Sequence, residues 1–434
     1  MQSAKPTLHF GLLASVAVAL AACGGSHEET VGPQASTPVT EGPAQVAHPP
    51  ATTPAPAPAV VPPTAALPAL PLRTDSRWIV DANGRRFKLA SVNWYGAEAK
   101  DFVVAGLDVA KLADVAAFIK KSGFNSVRLP WSNELYETNP VVNSARLAAN
   151  PALQGKHGLE VLDAVIDALA MEGLVVVLDN HVSHADWCCN AQDGNGLWFT
   201  DAYPESSWLA DWTGIVKRYK SRPAVVAADL RNELRAMPDG RTPTWGGSDP
   251  ALDWRAAAMR GGDAVLAANP KLLVVIEGLE YATDLSGAYD KPATLAIPNR
   301  LVYSAHDYAW FHNGLKSEAD LHTALGNKWG FLVAQGKPYT APVWIGEFGT
   351  KHDAANVDAA AGQGLWFKSF RRYLADADLD WSYWALNGTQ ATGTTRTLGA
   401  EENFGIMNKA WTTEALKLHL DALTTLAPAT QGPK

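Results

Sequence analysis

Short apolar runs recur along the chain, and stretches with helical spacing separate them. Lys88 to Asn93 predicts a strand leading to Trp94 and Tyr95. Asp108 is placed to cap a helix whose apolar positions Leu112, Val115, Ala116 and Ile119 share one face, with Gly123 as terminator. Asn125 to Leu129 is the second strand. Leu159, Leu162, Ile166 and Leu169 mark the next helix, stopped by Gly173, and Leu174 to Asp179 is the third strand. The alternation continues. Helices are predicted over Trp208–Tyr219 (broken by Pro223), Asp253–Ala268 (closed by Asn269 and Pro270), Ser317–Gln335, Gly362–Ala375 and Thr412–Leu426. Strands are predicted over Val225–Leu230, Leu272–Ile276, Leu301–Ala305, Val343–Ile345 and Trp381–Ala385.

Strands this uniformly apolar, alternating with helices, predict an α/β protein whose parallel sheet is covered on both faces. Eight of them in one folded region predict a single (β/α)₈ barrel with insertions. The rival, an open doubly wound sheet, wants a glycine-rich phosphate turn after its first strand. Asn93-Trp94-Tyr95-Gly96 is not such a turn.

The N-terminus has a different character. Lys5 supplies a weak positive region, and Leu12 to Ala22 is an apolar stretch too short for a bilayer span. Leu20-Ala21-Ala22-Cys23-Gly24 resembles a bacterial lipobox, which would make Cys23 the lipidated first residue of the mature chain. The alternative is an ordinary signal peptide with an Ala-x-Ala-like cut. Gly24 is not the aspartate that retains such lipoproteins at the inner membrane. The expected location is therefore the outer membrane, or outside the cell after processing. The Pro/Ala/Thr-rich residues that follow cannot bury apolar area and predict a disordered, extended tether. The expected organisation is signal 1–23, linker 24–73, catalytic barrel 74–427 and tail 428–434.

Composition adds three points. The chain has 434 residues and is 47% hydrophobic, enough for a sizeable core. A net charge of −8 without a basic run argues against nucleic acid as partner. Sixteen tryptophans suggest exposed stacking surfaces as well as core.

In such a barrel the chemistry sits at the C-terminal strand ends. Those ends are polar here: Arg128, Asn180-His181, Asn232-Glu233, His306-Asp307-Tyr308, Glu347 and Trp384. Alone, Gly346-Glu347-Phe348-Gly349 reads as a satisfied loop acid or helix cap, and one buried Arg or His as a core residue. Six of eight predicted strands ending this way are hard to assign to packing.

This set, in this order, resembles glycoside hydrolase family 5, whose retaining members carry catalytic glutamates on strands four and seven. The likeness runs from Trp78 to Leu426, and Asp179-Asn180-His181-Val182-Ser183, Trp187-Cys188-Cys189 and Asp193-Gly194-Asn195-Gly196 are similar to its cellulase-like branch. One departure stands out: the family's Asn-Glu-Pro is Asn232-Glu233-Leu234 here, followed by Arg235. The resemblance implies Glu347 as nucleophile and Glu233 as acid/base, with Arg128 and Tyr308 holding Glu347 ionised. It implies that Asn232 binds the sugar 2-hydroxyl, that His181 and His306 contact sugar or acids, and that Trp384 floors the −1 site. Retention needs two carboxyls close together, the nucleophile's pKa below that of the acid.

Trp94, Trp131, Trp187, Trp198, Trp245 and Trp310 are candidates for stacking on sugars, with core packing the equal alternative; Trp94 is retained as a substrate-binding residue. Cys188 and Cys189 are left open between a vicinal disulfide and two thiols. The expected enzyme is a monomeric endo-β-1,4-glucanase acting on cellulose-type β-glucan, without cofactor or metal. Rival readings keep the machinery for mannan, xyloglucan or a glycolipid glycan, or make the barrel a non-catalytic carbohydrate binder. A metal-dependent hydrolase using Asp179, His181, His184 and His306 is disfavoured, because it leaves both glutamates without a role.

Overall fold

The computed structural model describes residues 66–412 and 417–426. The lipobox at Cys23, most of the predicted linker, the first residues of the last predicted helix and the 428–434 tail lie outside the described residues. No helix among the described residues is long and apolar enough to cross a membrane.

Eight parallel strands close into a barrel, in sequence order around the ring. They are β1 (Ala90–Asn93), β2 (Ser126–Ser132), β3 (Val175–Val182), β4 (Val225–Asp229), β5 (Leu273–Glu277), β6 (Leu301–Asp307), β7 (Val343–Phe348) and β8 (Asp380–Tyr383). Every predicted strand is present. The long helices Leu112–Lys121, Gly158–Met171, Glu205–Arg218, Trp254–Ala268 and Gly362–Asp376 fall within a few residues of their predicted spans, and Glu318–Lys328 covers the first part of its own.

Two helix boundaries differ from expectation. Asp108 does not cap the first helix; its cap position is Lys111, and the Leu112 N–H is taken by Asn150 Oδ1 at 2.9 Å. The helix expected over 317–335 ends at Lys328, because Trp329 leaves it to bury its ring against Phe370 and Tyr373. A 3₁₀ turn, Gly330–Val333, follows.

Strand parity sorts the side chains into two cores. Successive residues of a strand face opposite sides of the sheet. Val176, Leu178, Ala228, Val274, Ile276 and Ile345 face the surrounding helices in the main hydrophobic core. Val175, Val177, Ala227, Leu273, Val275, Val302 and Trp344 fill the barrel interior. The interior is closed from one end by Leu72, Ile79, Phe87 and Leu89. These come from and around a small antiparallel hairpin, Arg73–Asp75 with Trp78–Val80, that the sequence reading did not anticipate. Three-residue strands carry too little alternation to register as a pattern.

Beyond the apolar layer, the same inward parity places polar groups: Asn93, Arg128, Asp179, Asp229, Glu277 and His306, all fully or almost fully buried. The barrel is thus oily at its base and charged at its mouth.

The hairpin plug is testable. Phe87→Ala should cost about 3–5 kcal/mol by urea unfolding, the usual loss for a buried phenylalanine. A loss under about 1 kcal/mol would mean that Phe87 is not part of the barrel core.

Candidate active site

Arg128 projects from β2 onto the barrel axis and is fully buried. A guanidinium carries five N–H donors and no acceptor, and each donor finds a partner here. Nε donates to Asp229 Oδ2 at 2.9 Å. Nη1 donates to Asn93 Oδ1 at 3.1 Å and Glu347 Oε1 at 2.7 Å. Nη2 donates to Asn232 Oδ1 and Glu277 Oε1, both at 2.9 Å. Asp179 Oδ1 lies a further 3.1 Å from Nη2. Four carboxyl groups therefore converge on one cation.

That crowding moves two of them in opposite directions. Burial and the charge of Glu277 push Asp229 well above the carboxylate range, more than Arg128 can offset. Burial would raise Glu277 too, but His306, Arg128 and the Glu233 N–H overrule it and hold it to about 2. Glu277 is the residue that the sequence reading missed. It stands at the end of β5 with the inward parity of Leu273 and Val275, and that parity was the available signal.

Glu277 also fixes the segment after β4. Its Oε2 accepts the Glu233 N–H at 2.7 Å. Glu233 has φ +45°, a left-handed conformation uncommon for a residue with a side chain. Its carbonyl is held from the other side by Arg235 Nη1 at 2.6 Å. Arg235, which follows the Leu234 that departs from Asn-Glu-Pro, also binds Asp193 with Nη2 at 2.7 Å. The departure thus gives the loop a guanidinium clamp.

Glu233 and Glu347 meet across the mouth. A carboxylate oxygen of each and a ring nitrogen of His306 all lie within 4.8 Å of one another. His306 Nδ1 is 3.0 Å from Glu233 Oε1 and 3.8 Å from Glu347 Oε2, and Nε2 is 3.3 Å from Glu277 Oε1. Burial opposes a charged ring, yet Glu277, Glu347 and the hydrogen bonds to Glu233 and Glu277 outweigh it, so His306 titrates well above an ordinary histidine.

Glu347 departs from the expected direction. Arg128 at 2.7 Å and the Tyr308 hydroxyl, donating to Oε2 at 2.9 Å, were expected to depress it. Burial instead lifts its pKa above the usual value, with Glu233 adding to the rise and His306, Arg128 and His181 only moderating it. Desolvation wins because only 5% of the residue stays exposed. The glycines flanking Glu347 are required by space. A Cβ on Gly346 would stand 2.6 Å from Ser304 Oγ and 2.8 Å from His306 Nε2, and one on Gly349 would stand 2.1 Å from the Trp384 carbonyl.

The mouth opens into a cleft of about 500 Å³ lined by both glutamates, His181, Asn232, Tyr308 and Trp384. The Trp384 ring is nearly parallel to those of Tyr95 (centroids 5.1 Å, planes 6° apart) and His181 (5.7 Å, 10°). Trp187 also faces the cleft, and Trp310, 49% exposed, stacks on Tyr308 at 4.2 Å. Trp94 does not belong there. It is fully buried among the outer helices with Nε1 donating to the Ala105 carbonyl, and its neighbour Tyr95, of opposite parity, faces the site. Trp131 and Trp198 are likewise core residues, while Trp245, partly buried, donates Nε1 to the Lys291 carbonyl away from the cleft.

Cys188 and Cys189 are joined as a vicinal disulfide on the cleft wall. Among the described residues no potential ligand cluster unites Asp179, His181, His184 and His306. Asp179, Asp229 and Glu277 do cluster, around the Arg128 guanidinium.

Comparison with known proteins agrees with this geometry. Residues 80–390 match the family model described as cellulase, glycosyl hydrolase family 5. An endoglucanase of Paenibacillus polymyxa is 33% identical over 336 residues, covering 72% of this chain and 79% of the relative. The major extracellular endoglucanase of Xanthomonas campestris is 32% identical over 327 residues, covering 72% of this chain and 64% of the relative. The solved catalytic domain of that Xanthomonas enzyme superposes with a TM-score of 0.69 at 29% identity, over 82% of this chain and 99% of the domain. An endocellulase of Pyrococcus horikoshii superposes equally well, TM-score 0.69 at 25% identity, over 83% of this chain and all of that one. With the barrel, the site and these likenesses in agreement, the chain belongs to glycoside hydrolase family 5.

Proposed function

We propose that this enzyme is a retaining endo-β-1,4-glucanase, with Glu347 as nucleophile and Glu233 as acid/base. The observation that carries the reading is that one oxygen of each carboxyl group lies within 4.8 Å of an oxygen of the other. Retaining glycosidases hold theirs about 5–5.5 Å apart, whereas inverting ones leave about 6.5–9.5 Å for a water.

In the first step Glu347 attacks the anomeric carbon while Glu233 gives its proton to the departing glycosidic oxygen. The bond to the leaving sugar breaks as the bond to Glu347 forms. In the second step Glu233 takes a proton from water, which displaces Glu347 and restores the original anomer. Arg128 and Tyr308 occupy both oxygens of Glu347 and so fix its angle of attack. Asn232 would meet the 2-hydroxyl, where hydrogen bonds strengthen in the transition state, and Trp384 would floor the −1 site. The endoglucanases of Paenibacillus and Xanthomonas support β-glucan as substrate. Trp187 and Trp310, which line the same cleft as the catalytic pair, suit stacking on the sugars of a bound chain.

We further propose export with a lipid on Cys23, on the strength of the lipobox-like Leu20 to Gly24. Radiolabelled palmitate should enter the wild type and not Cys23→Ser; equal labelling would remove this part.

Three measurements test the catalytic reading. On soluble cellulose, viscosity should fall ahead of reducing-end release, and mannan and xyloglucan should be poorer substrates; a preference for either would reassign the glycan. Glu233→Ala should lower kcat roughly 10²–10⁴-fold, the weight of a lost acid–base group, with azide restoring turnover of activated glycosides. Glu347→Gln should abolish hydrolysis, and retained activity would exclude it as nucleophile.

The pH profile follows from the sign of the Glu347 shift. Attack needs the ionised form, and burial raises the pKa of Glu347. Activity should therefore fall off in acid at a pKa above the ordinary glutamate value of about 4.3. An acid limb of kcat/KM below about 4 would contradict this.

A further inference from the structure

The vicinal disulfide stands at the Asn232 side chain, and hydrogen-bond chemistry fixes which end of the amide faces it. Arg128 can only donate, so the oxygen of Asn232 must turn toward it, at 2.9 Å. The amide nitrogen then points the other way, 3.5 Å from Cys188 Sγ and 3.4 Å from Cys189 Sγ. One further polar atom is near, His181 Nε2 at 3.5 Å. His181 bonds Asp179 through Nδ1 at 2.6 Å, and although burial opposes its charge, Asp179 and Glu98 raise its pKa. Its Nε2 lies no closer to the amide nitrogen than either sulfur does. Arg128 sets the oxygen end of the amide, and the two sulfurs face its nitrogen end.

We propose that the Cys188–Cys189 pair is a positioning element for catalysis, holding the Asn232 amide toward the 2-hydroxyl of the sugar at the cleaved bond. The inference rests on the role proposed above for Asn232. Sulfur is a weak acceptor, so it aligns one N–H of the amide and leaves the other for the stronger sugar oxygen. Joined sulfurs form one rigid wall, whereas two thiols would rotate independently and each present an S–H to the amide.

The loop carrying the pair is itself anchored to the catalytic segment. Asp193 receives Arg235, whose Nη1 holds the Glu233 carbonyl. Asn195 Oδ1 accepts the Ser183 N–H at 3.0 Å, and the Asn195 carbonyl accepts Arg231 Nη2 at 3.0 Å. The sulfurs therefore keep their place relative to the acid/base. Both also line the cleft, where a sugar can reach them.

The test compares nitrophenyl β-cellobioside with its analogue lacking the 2-hydroxyl on the sugar at the cleaved bond. It is run on wild type, wild type reduced with a phosphine, a Cys188→Ala/Cys189→Ala double variant and Asn232→Ala. The ratio of the two rates in one preparation does not depend on the fraction folded, and the reduced wild type serves if the variant does not fold. Loss of the pair should lower kcat on the parent glycoside about 5–10-fold, with KM changed less than about twofold and the deoxy analogue unaffected. Asn232→Ala sets the scale by showing the same selectivity. If Asn232→Ala slows both substrates equally, the role of Asn232 is wrong. If Asn232→Ala discriminates while loss of the pair slows both substrates alike, or neither, the positioning role of the cysteines is overturned.

Discussion

One buried guanidinium determines what the mouth of this barrel can be. Arg128 brings a single positive charge into a region that also holds Asp179, Asp229, Glu277 and Glu347, all within hydrogen-bond or ion-pair reach. Buried carboxylates left unpaired cost several kcal/mol each. The arrangement survives because every donor of Arg128 is used and because burial and the charge of Glu277 shift Asp229 toward its neutral form. The same guanidinium touches the side chains of Glu347 and Asn232 directly, and Glu233 through Glu277. Three proposed catalytic groups, one on β7 and two in the segment after β4, thus take their positions from one residue.

Strand alternation explains how a sequence can build this. The inward positions of each strand are apolar at the base and turn polar toward the C-terminal end: Val175, Val177, Asp179, His181 on β3, and Leu273, Val275, Glu277 on β5. The apolar layer and the hairpin plug close one end, so the charged layer faces only the cleft. A low-dielectric floor strengthens every interaction above it. That floor is also why Glu347 titrates high despite its cation.

Much of this was legible beforehand. All eight strands, the barrel, and Arg128, His181, Asn232, Glu233, His306, Tyr308, Glu347 and Trp384 at one mouth follow from apolar runs ending in polar tips. The misses have physical causes. Trp94 directly follows a strand end, but parity sends it outward and brings Tyr95 in. Glu277 lies one residue beyond the apolar run, which predicts a strand ending at Ile276. The depression expected of Glu347 came from counting its partners without the cost of removing it from water. No pattern of residue types could weigh those two against each other. The clamp from Arg235 to Asp193 joins loops 42 residues apart and needs coordinates to be seen.

The most direct test of the central role of Arg128 is the pH dependence of stability in Arg128→Met. Near neutral pH the variant should be less stable than wild type by about 3–5 kcal/mol, the cost of stranding buried charges. The deficit should shrink as pH falls and the stranded carboxyls take up protons. A deficit that is small at neutral pH, or that stays constant into acid, would mean that Arg128 does not hold these carboxylates together.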